Sequence, residues 1–333
     1  MLSIHRTALT VGAGAAAFAL AATAITTAAS YTVAVIPPGY TSPFHVAVKD
    51  GAVEEAQKLG WTIDTASAAS ESDFNQQANI VDDEVSKKVN IISVNPIDPN
   101  ADIGAIKRAN AAKIPVLVHN GITPLGGGVK VVEYIGYNQW KGAKLVGEEA
   151  CKLLGGKGEV FILDGIVEFH THRRAGGFKD GLKSCMGAAG VKIDGEQSAS
   201  WLRTQGQQVA TAALTKYPNI KLFFGCSDEM DIGASIAARR LHKTVFTLGI
   251  DGNQATLDEI KAGHVTGTLG VYPKQMGVTI VEQMQKVLGG QSVPAILETP
   301  GTVVTKDNLD AYLGGKTFTA PKSGQPEEDS GHE

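Results

Sequence analysis

The side chains that could do chemistry in this sequence follow short apolar runs, and one group has the spacing of a metal site. His170-Thr171-His172 puts two histidines at alternate positions, so on an extended segment both could face a zinc ion. Arg173 and Arg174 follow directly, and two fixed cations disfavour a divalent ion. Solvated loop residues and hydrogen bonding to a ligand are the alternatives for this pair. We therefore predict no metal site.

Enzyme motifs are missing where their spacing would place them. No Gly-x-Gly-x-x-Gly follows the first apolar run, where Pro37-Pro38-Gly39 stands instead, and no phosphate-binding loop ends in Gly-Lys-Ser/Thr. Gly225-Cys226-Ser227-Asp228-Glu229 lacks the second glycine of a Gly-x-Ser-x-Gly nucleophile turn. The sequence therefore predicts neither a cofactor nor a catalytic nucleophile.

The remaining loop residues suit a neutral, hydroxylated ligand. Phe44 and Trp201 offer flat aromatic faces for the C–H surface of such a ligand. Arg174 and Asp251 carry planar polar groups that can hydrogen-bond two neighbouring hydroxyls. Each residue alone has an ordinary structural interpretation, but their joint placement after consecutive apolar runs favours a binding site.

Cys151, Cys185 and Cys226 are the cysteines of the chain. An odd number leaves at least one thiol free. All three lie in apolar helical or strand patterns, which favours buried thiols that pack as small hydrophobic groups. A disulfide between two of them is the alternative.

The elements that must position these residues are short β-branched runs alternating with amphipathic segments. Such alternation predicts parallel, doubly wound α/β sheets, whose ligands bind beyond the carboxyl ends of the strands. The strand candidates are too many for one sheet, so we predict two α/β lobes. The predicted strands are 32–36, 62–65, 91–94, 116–118, 132–135, 160–163, 222–224, 245–250 and 266–271. The predicted helices are 43–59, 73–88, 101–112, 141–154, 174–186, 205–217, 229–241 and 273–288.

The two ends of the chain and its net charge indicate its location and exclude some classes of partner. Residues 1–30 hold one charge, Arg6, then an Ala-rich apolar run and small residues, which predicts a signal peptide cleaved near Ala29/Ser30. The run is too short and too rich in alanine for a membrane anchor, so no membrane insertion of the mature chain is expected. The net charge of −4, without a basic block, excludes nucleic acid as a partner. Residues 320–333 are polar and acidic and predict a disordered tail.

Seven short segments, in order, resemble the ribose-binding protein family, the soluble sugar-binding components of bacterial ABC importers. The likeness covers residues 31–316. The segments are Thr41-Ser42-Pro43-Phe44, Lys49-Asp50-Gly51-Ala52, Asn95-Pro96, Ile114-Pro115-Val116, Arg174-Ala175-Gly176-Gly177-Phe178, Ser227-Asp228-Glu229-Met230 and Gly249-Ile250-Asp251-Gly252.

The resemblance implies a type I periplasmic binding protein with a ligand cleft between two lobes. The N-terminal lobe would comprise 31–136 plus 272–297 and the C-terminal lobe 137–271 plus 298–319, with three hinge crossings near 136–138, 270–272 and 294–300. It also implies a periplasmic protein that captures a monosaccharide or sugar alcohol and delivers it to an ABC permease. No bond is made or broken, so the protein is not expected to be an enzyme. A chemoreceptor is a further candidate partner, because some relatives present their closed form to one.

The likeness carries over to single residues, with departures. The stacking aromatics match Phe44 and Trp201, and the sugar-binding arginine and aspartate match Arg174 and Asp251. Ser42 and Ser227 stand where ribose binders have Asn; His45 replaces an aromatic residue, His119-Asn120 an Asp-Arg pair and Val271 a Gln. We therefore expect a ligand other than ribose. The alternatives are a sugar acid or other small polar ligand, or an enzyme on the same scaffold. The predicted ligand-binding residues are Ser42, Phe44, His45, His119, Asn120, His170, His172, Arg174, Trp201, Ser227, Asp251 and Val271.

Overall fold

Strands and helices alternate along most of the described chain. The structure, a computed structural model, describes residues 30–166, 169–187 and 190–327, so the predicted signal peptide lies outside it apart from Ser30. In chain order the elements are β1 (Thr32–Ile36), α1 (Pro43–Lys58), β2 (Thr62–Asp64), α2 (Phe74–Lys87), β3 (Ile91–Val94), α3 (Ile103–Ala111), β4 (Val116–His119), β5 (Glu133–Gly136), α4 (Gln139–Leu153), β6 (Gly158–Asp164), α5 (Phe169–Leu182), β7 (Val191–Ser198), α6 (Arg203–Lys216), β8 (Ile220–Gly225), α7 (Asp228–Arg240), β9 (Phe246–Asp251), α8 (Gln254–Ala262), β10 (Gly267–Gly270), α9 (Pro273–Leu288), β11 (Ile296–Glu298), β12 (Thr302–Thr305), α10 (Leu309–Leu313) and β13 (Lys322–Ser323).

The strands form two sheets. The first has the order β13-β11-β5-β4-β3-β1-β2 and the second β12-β10-β9-β8-β6-β7. Pairing is parallel except where β13 meets β11 and β12 meets β10. The central strands β1, β3 and β4 are buried along most or all of their length because both faces are covered by helices. The prediction of two doubly wound α/β lobes is confirmed.

The chain passes between the two sheets four times. β5 ends at Gly136 in the first sheet, and α4, which begins at Gln139, packs against β9, β10 and β12 of the second. β10 ends at Gly270, and α9 returns to pack against β3 and β5. β11 and β12 then lie in different sheets, and β13 returns to the first sheet. Since parallel strands end at one edge of a sheet, these passages bring the loops after β1, β3 and β4 opposite those after β6, β8 and β9.

The expectation of three buried free thiols is wrong. Cys151 of α4 and Cys185, just after α5, form a disulfide, whereas Cys226 is a buried free cysteine. α4 and α5 pack along each other and hold the two Cα atoms 5.9 Å apart, within bonding range. Sequence spacing carries no information about that helix pairing.

Replacing the bridge with a Cys151→Ala/Cys185→Ala double variant is expected to lower the free energy of unfolding by about 2–4 kcal/mol, because the unfolded chain gains conformational freedom. Urea unfolding measures the loss, with Cys226→Ala as the control that keeps the bridge. In wild-type protein without reductant, a thiol reagent is expected to find one thiol, and only after unfolding. Three reactive thiols would contradict the bridge.

The end of the chain differs from the predicted disordered tail over its described part, residues 320–327. Lys322 and Ser323 form β13, which pairs with β11. Glu327 is buried, and its carboxylate accepts hydrogen bonds from the Thr123 hydroxyl at 3.2 Å and from the backbone N–H of Gln139. The Arg173 guanidinium forms an ion pair with it at 2.8 Å. These donors replace the water that a carboxylate loses on burial, and composition does not reveal such a partner set.

The variant Glu327→Gln is expected to lower the free energy of unfolding by about 1–3 kcal/mol, because charge-assisted hydrogen bonds become neutral ones. Urea unfolding of the full chain measures it. Glu282→Gln, an exposed change on α9, is the matched control. Equal stability of the two variants would show that the Glu327 contacts contribute nothing.

Candidate ligand-binding cleft

A cavity of about 480 Å³, open to solvent, lies between the two lobes. It is lined from the loops that follow strands of both sheets. Nine of the predicted ligand-binding residues line it, namely Ser42, Phe44, His45, Asn120, His170, Arg174, Trp201, Ser227 and Asp251.

The start of α1 places the first group at the cavity. The Ser42 hydroxyl caps the helix by accepting a hydrogen bond from the Phe44 N–H at 3.3 Å, and Pro43 occupies the first helical position. Phe44 and His45 therefore fall in the first turn, where both are buried with their rings edge to face at 5.1 Å. The helix start thus presents an aromatic face and an imidazole to the cavity.

Arg174 is the central side chain of the second lobe. It is 4% exposed, and its Nη1 donates to the Cys226 carbonyl at 2.7 Å and to Asp251 Oδ1 at 3.4 Å. The guanidinium carbon lies 5.4 Å from the Trp201 ring centroid, within cation–π range. Asp251 is itself held by the Asp228 N–H, which donates to its Oδ2 at 3.4 Å. A guanidinium, a carboxylate and an indole face thus meet at one wall of the cavity.

The backbone around the cavity adopts conformations that residues with side chains rarely take. Asn120 has φ 64°, Trp201 has φ 63° and Asp251 has φ 146°. Each such residue costs of order 1–3 kcal/mol and persists where the surrounding fold enforces it, as at ligand sites. The three outliers all line the cavity.

Five of the buried side-chain polar atoms that lack a hydrogen-bond partner within the described chain lie at the same place. They are the His45 Nδ1, both side-chain polar atoms of Asn95, the Asn120 Oδ1 and the Ser227 hydroxyl. Buried polar groups are nearly always paired, so a cluster of unpaired ones around a cavity indicates a polar guest. All four residues line the cavity.

The cavity histidines are uncharged. Burial holds the pKa of His45 well below its usual range, assisted by His119, His170 and Arg174. Burial also lowers the pKa of His170 to about 3, with Arg174 and Arg173 adding to the effect. His170 Nδ1 lies 2.8 Å from the amide nitrogen of Gln139, which donates to it. At neutral pH these rings therefore hydrogen-bond without contributing positive charge.

Three predicted ligand-binding residues do not line this cavity. His119 is buried behind it, with Nδ1 2.9 Å from the Ser93 hydroxyl. His172 is exposed on α5, because residues two apart on a helix point in different directions. Val271 is buried in the hydrophobic core. The extended segment assumed for His170 and His172 is thus wrong.

Sequence reasoning missed two polar residues of the cavity. Asn95 follows β3 directly, and its place at a strand end was a usable signal. Glu71 lies in the long segment between β2 and α2, which carries no pattern that points to a ligand. Its Oε1 lies 3.4 Å from the Thr41 hydroxyl and 3.9 Å from the neutral His45 Nε2. A second cavity carboxyl therefore comes from outside the predicted loops.

The described ranges contain no group of three or more His, Cys, Asp or Glu residues arranged to hold a metal ion. The helices within these ranges also lack the length and apolar character needed to cross a membrane.

Comparison with known proteins identifies the family. Residues 33–292 match the family described as the periplasmic binding protein domain, which is more than half of the chain. The chain belongs to this family. The resemblance to ribose-binding proteins drawn from the seven segments is confirmed, and the family is one of sugar-binding transport proteins.

Relatives in this periplasmic binding protein family align over most of the chain. The ribose import binding protein of Salmonella typhimurium is 32% identical over 281 residues, covering 84% of this chain and 92% of that protein. The D-apiose import binding protein of Actinobacillus succinogenes is 31% identical over 250 residues, covering 74% and 78%. A solute-binding protein of the same organism, solved with bound D-allose, superimposes with a TM-score of 0.80 at 27% identity, covering 85% of this chain and 100% of that one.

Proposed function

We propose that this protein is the solute-binding component of an ABC importer that captures a neutral monosaccharide or sugar alcohol and delivers it to a membrane permease. It works in the periplasm after its signal peptide is removed near Ala29/Ser30. The observation that carries the proposal is the cluster of Arg174, Asp251 and Trp201 beside unpaired polar atoms in an inter-lobe cavity.

The geometry matches the chemistry of a sugar. A pyranose or furanose ring has apolar C–H surface, which Trp201 and Phe44 can cover. Its hydroxyls can donate to Asp251 and accept from Arg174, whose planar groups suit neighbouring hydroxyls. The unpaired Asn95 amide can both donate and accept, which fits a third hydroxyl.

The ligand chemistry of the relatives points the same way without naming the sugar. The named relatives take ribose, D-apiose and D-allose, which are neutral sugars. In this chain His45 occupies the position of a stacking aromatic and Asn120 that of the sugar-binding arginine of ribose binders. These changes alter the shape and hydrogen-bonding pattern of the cavity, so we expect a polyhydroxylated ligand other than ribose.

We expect the protein to deliver its sugar to the permease chemically unchanged. The motifs for a cofactor or a catalytic nucleophile are missing from the sequence, so the sugar is expected to leave unchanged. Because both lobes line the cavity, a bound sugar favours the closed arrangement over the open one. The closed form is the one that a permease would recognise.

Isothermal titration against D-ribose, D-apiose, D-allose, further pentoses and hexoses, and polyols such as ribitol is expected to identify at least one ligand. Trp201→Ala and Arg174→Ala are each expected to weaken its binding by about 1–3 kcal/mol, because stacking or charge-assisted hydrogen bonds are lost. Arg240→Ala, at the exposed end of α7, is the control. No binding by folded protein would refute the proposal, and unchanged affinity in both cavity variants would refute the site.

Closure is expected to reduce the radius of gyration on binding. Small-angle scattering with and without a saturating sugar from the titration panel measures it, and Trp201→Ala at the same sugar concentration is the matched control. An identical radius of gyration for the free and the bound wild-type protein would contradict the hinge motion.

A further inference from the structure

Glu71 is the cavity residue that the family resemblance does not account for. Its side chain is only 15% exposed, and it lines the same cavity as Asp251 and Arg174. The Thr41 hydroxyl donates to its Oε1 at 3.4 Å. Since one weak donor leaves most of its acceptor capacity unused, the carboxyl group is available to a guest in the cavity.

The balance of charge in the cavity shows what that guest can be. Among the described lining residues the ionisable groups other than histidine are Glu71, Asp251 and Arg174. The guanidinium is already shared with Asp251 at 3.4 Å. A ligand carboxylate would therefore be the third carboxyl beside a single cation, and nearby buried like charges oppose each other strongly. The histidines do not offset this, because burial keeps them neutral.

We propose that Glu71 is a specificity-determining residue of the cleft, whose carboxylate accepts hydrogen bonds from hydroxyls of a neutral sugar and rejects sugars that carry a carboxylate. This inference rests on the proposed function and narrows its ligand class. Sugar hydroxyls are donors and an ionised carboxylate is an acceptor only, so the two are complementary. A sugar acid instead places an acceptor against the ionised Glu71 carboxylate, so its binding requires Glu71 to be protonated.

A proton is coupled to this recognition. Burial raises the pKa of Glu71 to about 7, opposed by the Thr41 hydrogen bond and by Arg174. In the empty cavity about half of the Glu71 side chains are then protonated at pH 7. Hydroxyl donors favour the ionised form and so lower this pKa, which means that sugar binding releases protons. Affinity should therefore rise with pH up to about 8 and level off above it.

The other titratable groups that face Glu71 separate its effect from theirs. His45 on α1 and His170 on α5 have pKa values far below neutrality, as does the more deeply buried His119, so these rings stay neutral from pH 6 to 9. Arg174 stays cationic throughout. Burial raises the pKa of Asp251 well above its usual range, although Arg174 opposes the effect. It is thus the other group whose proton could be displaced.

The test is calorimetric titration of wild type, Glu71→Gln and the exposed control Glu282→Gln. D-ribose, D-apiose, D-allose and ribitol are the neutral probes, and D-ribonate and D-galacturonate are the acidic ones. Runs at pH 7 in two buffers of different ionisation enthalpy give the number of protons released. Wild type and Glu282→Gln are expected to bind a neutral probe with release of about half a proton, and the release should vanish by pH 9. Glu71→Gln should release none, bind the neutral probe roughly tenfold more weakly, and discriminate against the acids at least tenfold less.

Each outcome decides one question. If neither neutral nor acidic probes bind wild type, the proposed function fails and this inference with it. If acidic probes bind wild type as well as neutral ones, the inference alone fails. If Glu71→Gln keeps the proton release and the selectivity, the inference alone also fails, and the proton belongs to Asp251. Should Glu71→Gln not fold, the wild-type titration still decides, because a constant affinity between pH 6 and 8 with no proton release overturns the role of Glu71.

Discussion

The ion pair of Arg174 with Asp251 is the interaction on which the rest of the cleft depends. Both groups are almost fully buried, and a buried charge is tolerated only with a partner and further hydrogen bonds. The Cys226 carbonyl at the end of β8 and the Asp228 N–H at the start of α7 complete the pair. Through these contacts the Arg174 guanidinium on α5 is joined to the ends of β8 and β9. Its remaining surface faces Trp201. The side chains that the second lobe contributes to the site are thus arranged around the Arg174 guanidinium.

Two buried carboxyl groups outside that ion pair, those of Glu71 and Glu327, lie on segments without regular secondary structure and join these segments to the lobes. Glu71 lines the cavity from the segment between β2 and α2. Glu327, near the end of the chain, is buried outside that lining. Glu327 receives donors from Thr123 of the first lobe and from Gln139 and Arg173 of the second. The Glu327 contacts show that a segment without large apolar side chains can pack against the fold, because one desolvated carboxylate with several donors replaces a hydrophobic anchor. The cleft accordingly has one of its polar groups, Glu71, on a segment that hydrophobic patterning does not mark.

The fold was predictable where burial leaves a trace in the sequence. β1 and β3 are rich in β-branched residues because both of their faces are covered, and their predicted bounds agree with the structure. β7 was missed because it lies at the edge of its sheet and is made mostly of polar residues that are half-buried or exposed. β11 and β13 were missed because strands of three and two residues are too short for a period. Among the site residues, Phe44, Arg174 and Asp251 could be predicted because each lies at a helix start, at a strand end or in one of the seven family-like segments. His172 was misplaced because an extended segment was assumed where α5 begins.

By itself the sequence determined the two-lobed α/β architecture and the family, because hydrophobic periodicity and local motifs need no knowledge of distant contacts. It also determined the residues that end strands, and hence most of the cavity wall. Only the tertiary structure decided the Cys151–Cys185 bridge, the place of Glu71 in the cavity and the burial of Glu327, since each joins positions far apart in the chain. The protonation states of the cavity side chains were also decided only by the tertiary structure. The neutrality of His45 and the raised pKa of Glu71 follow from desolvation by residues of both lobes, and loss of water is a property of the packed fold rather than of any stretch of sequence.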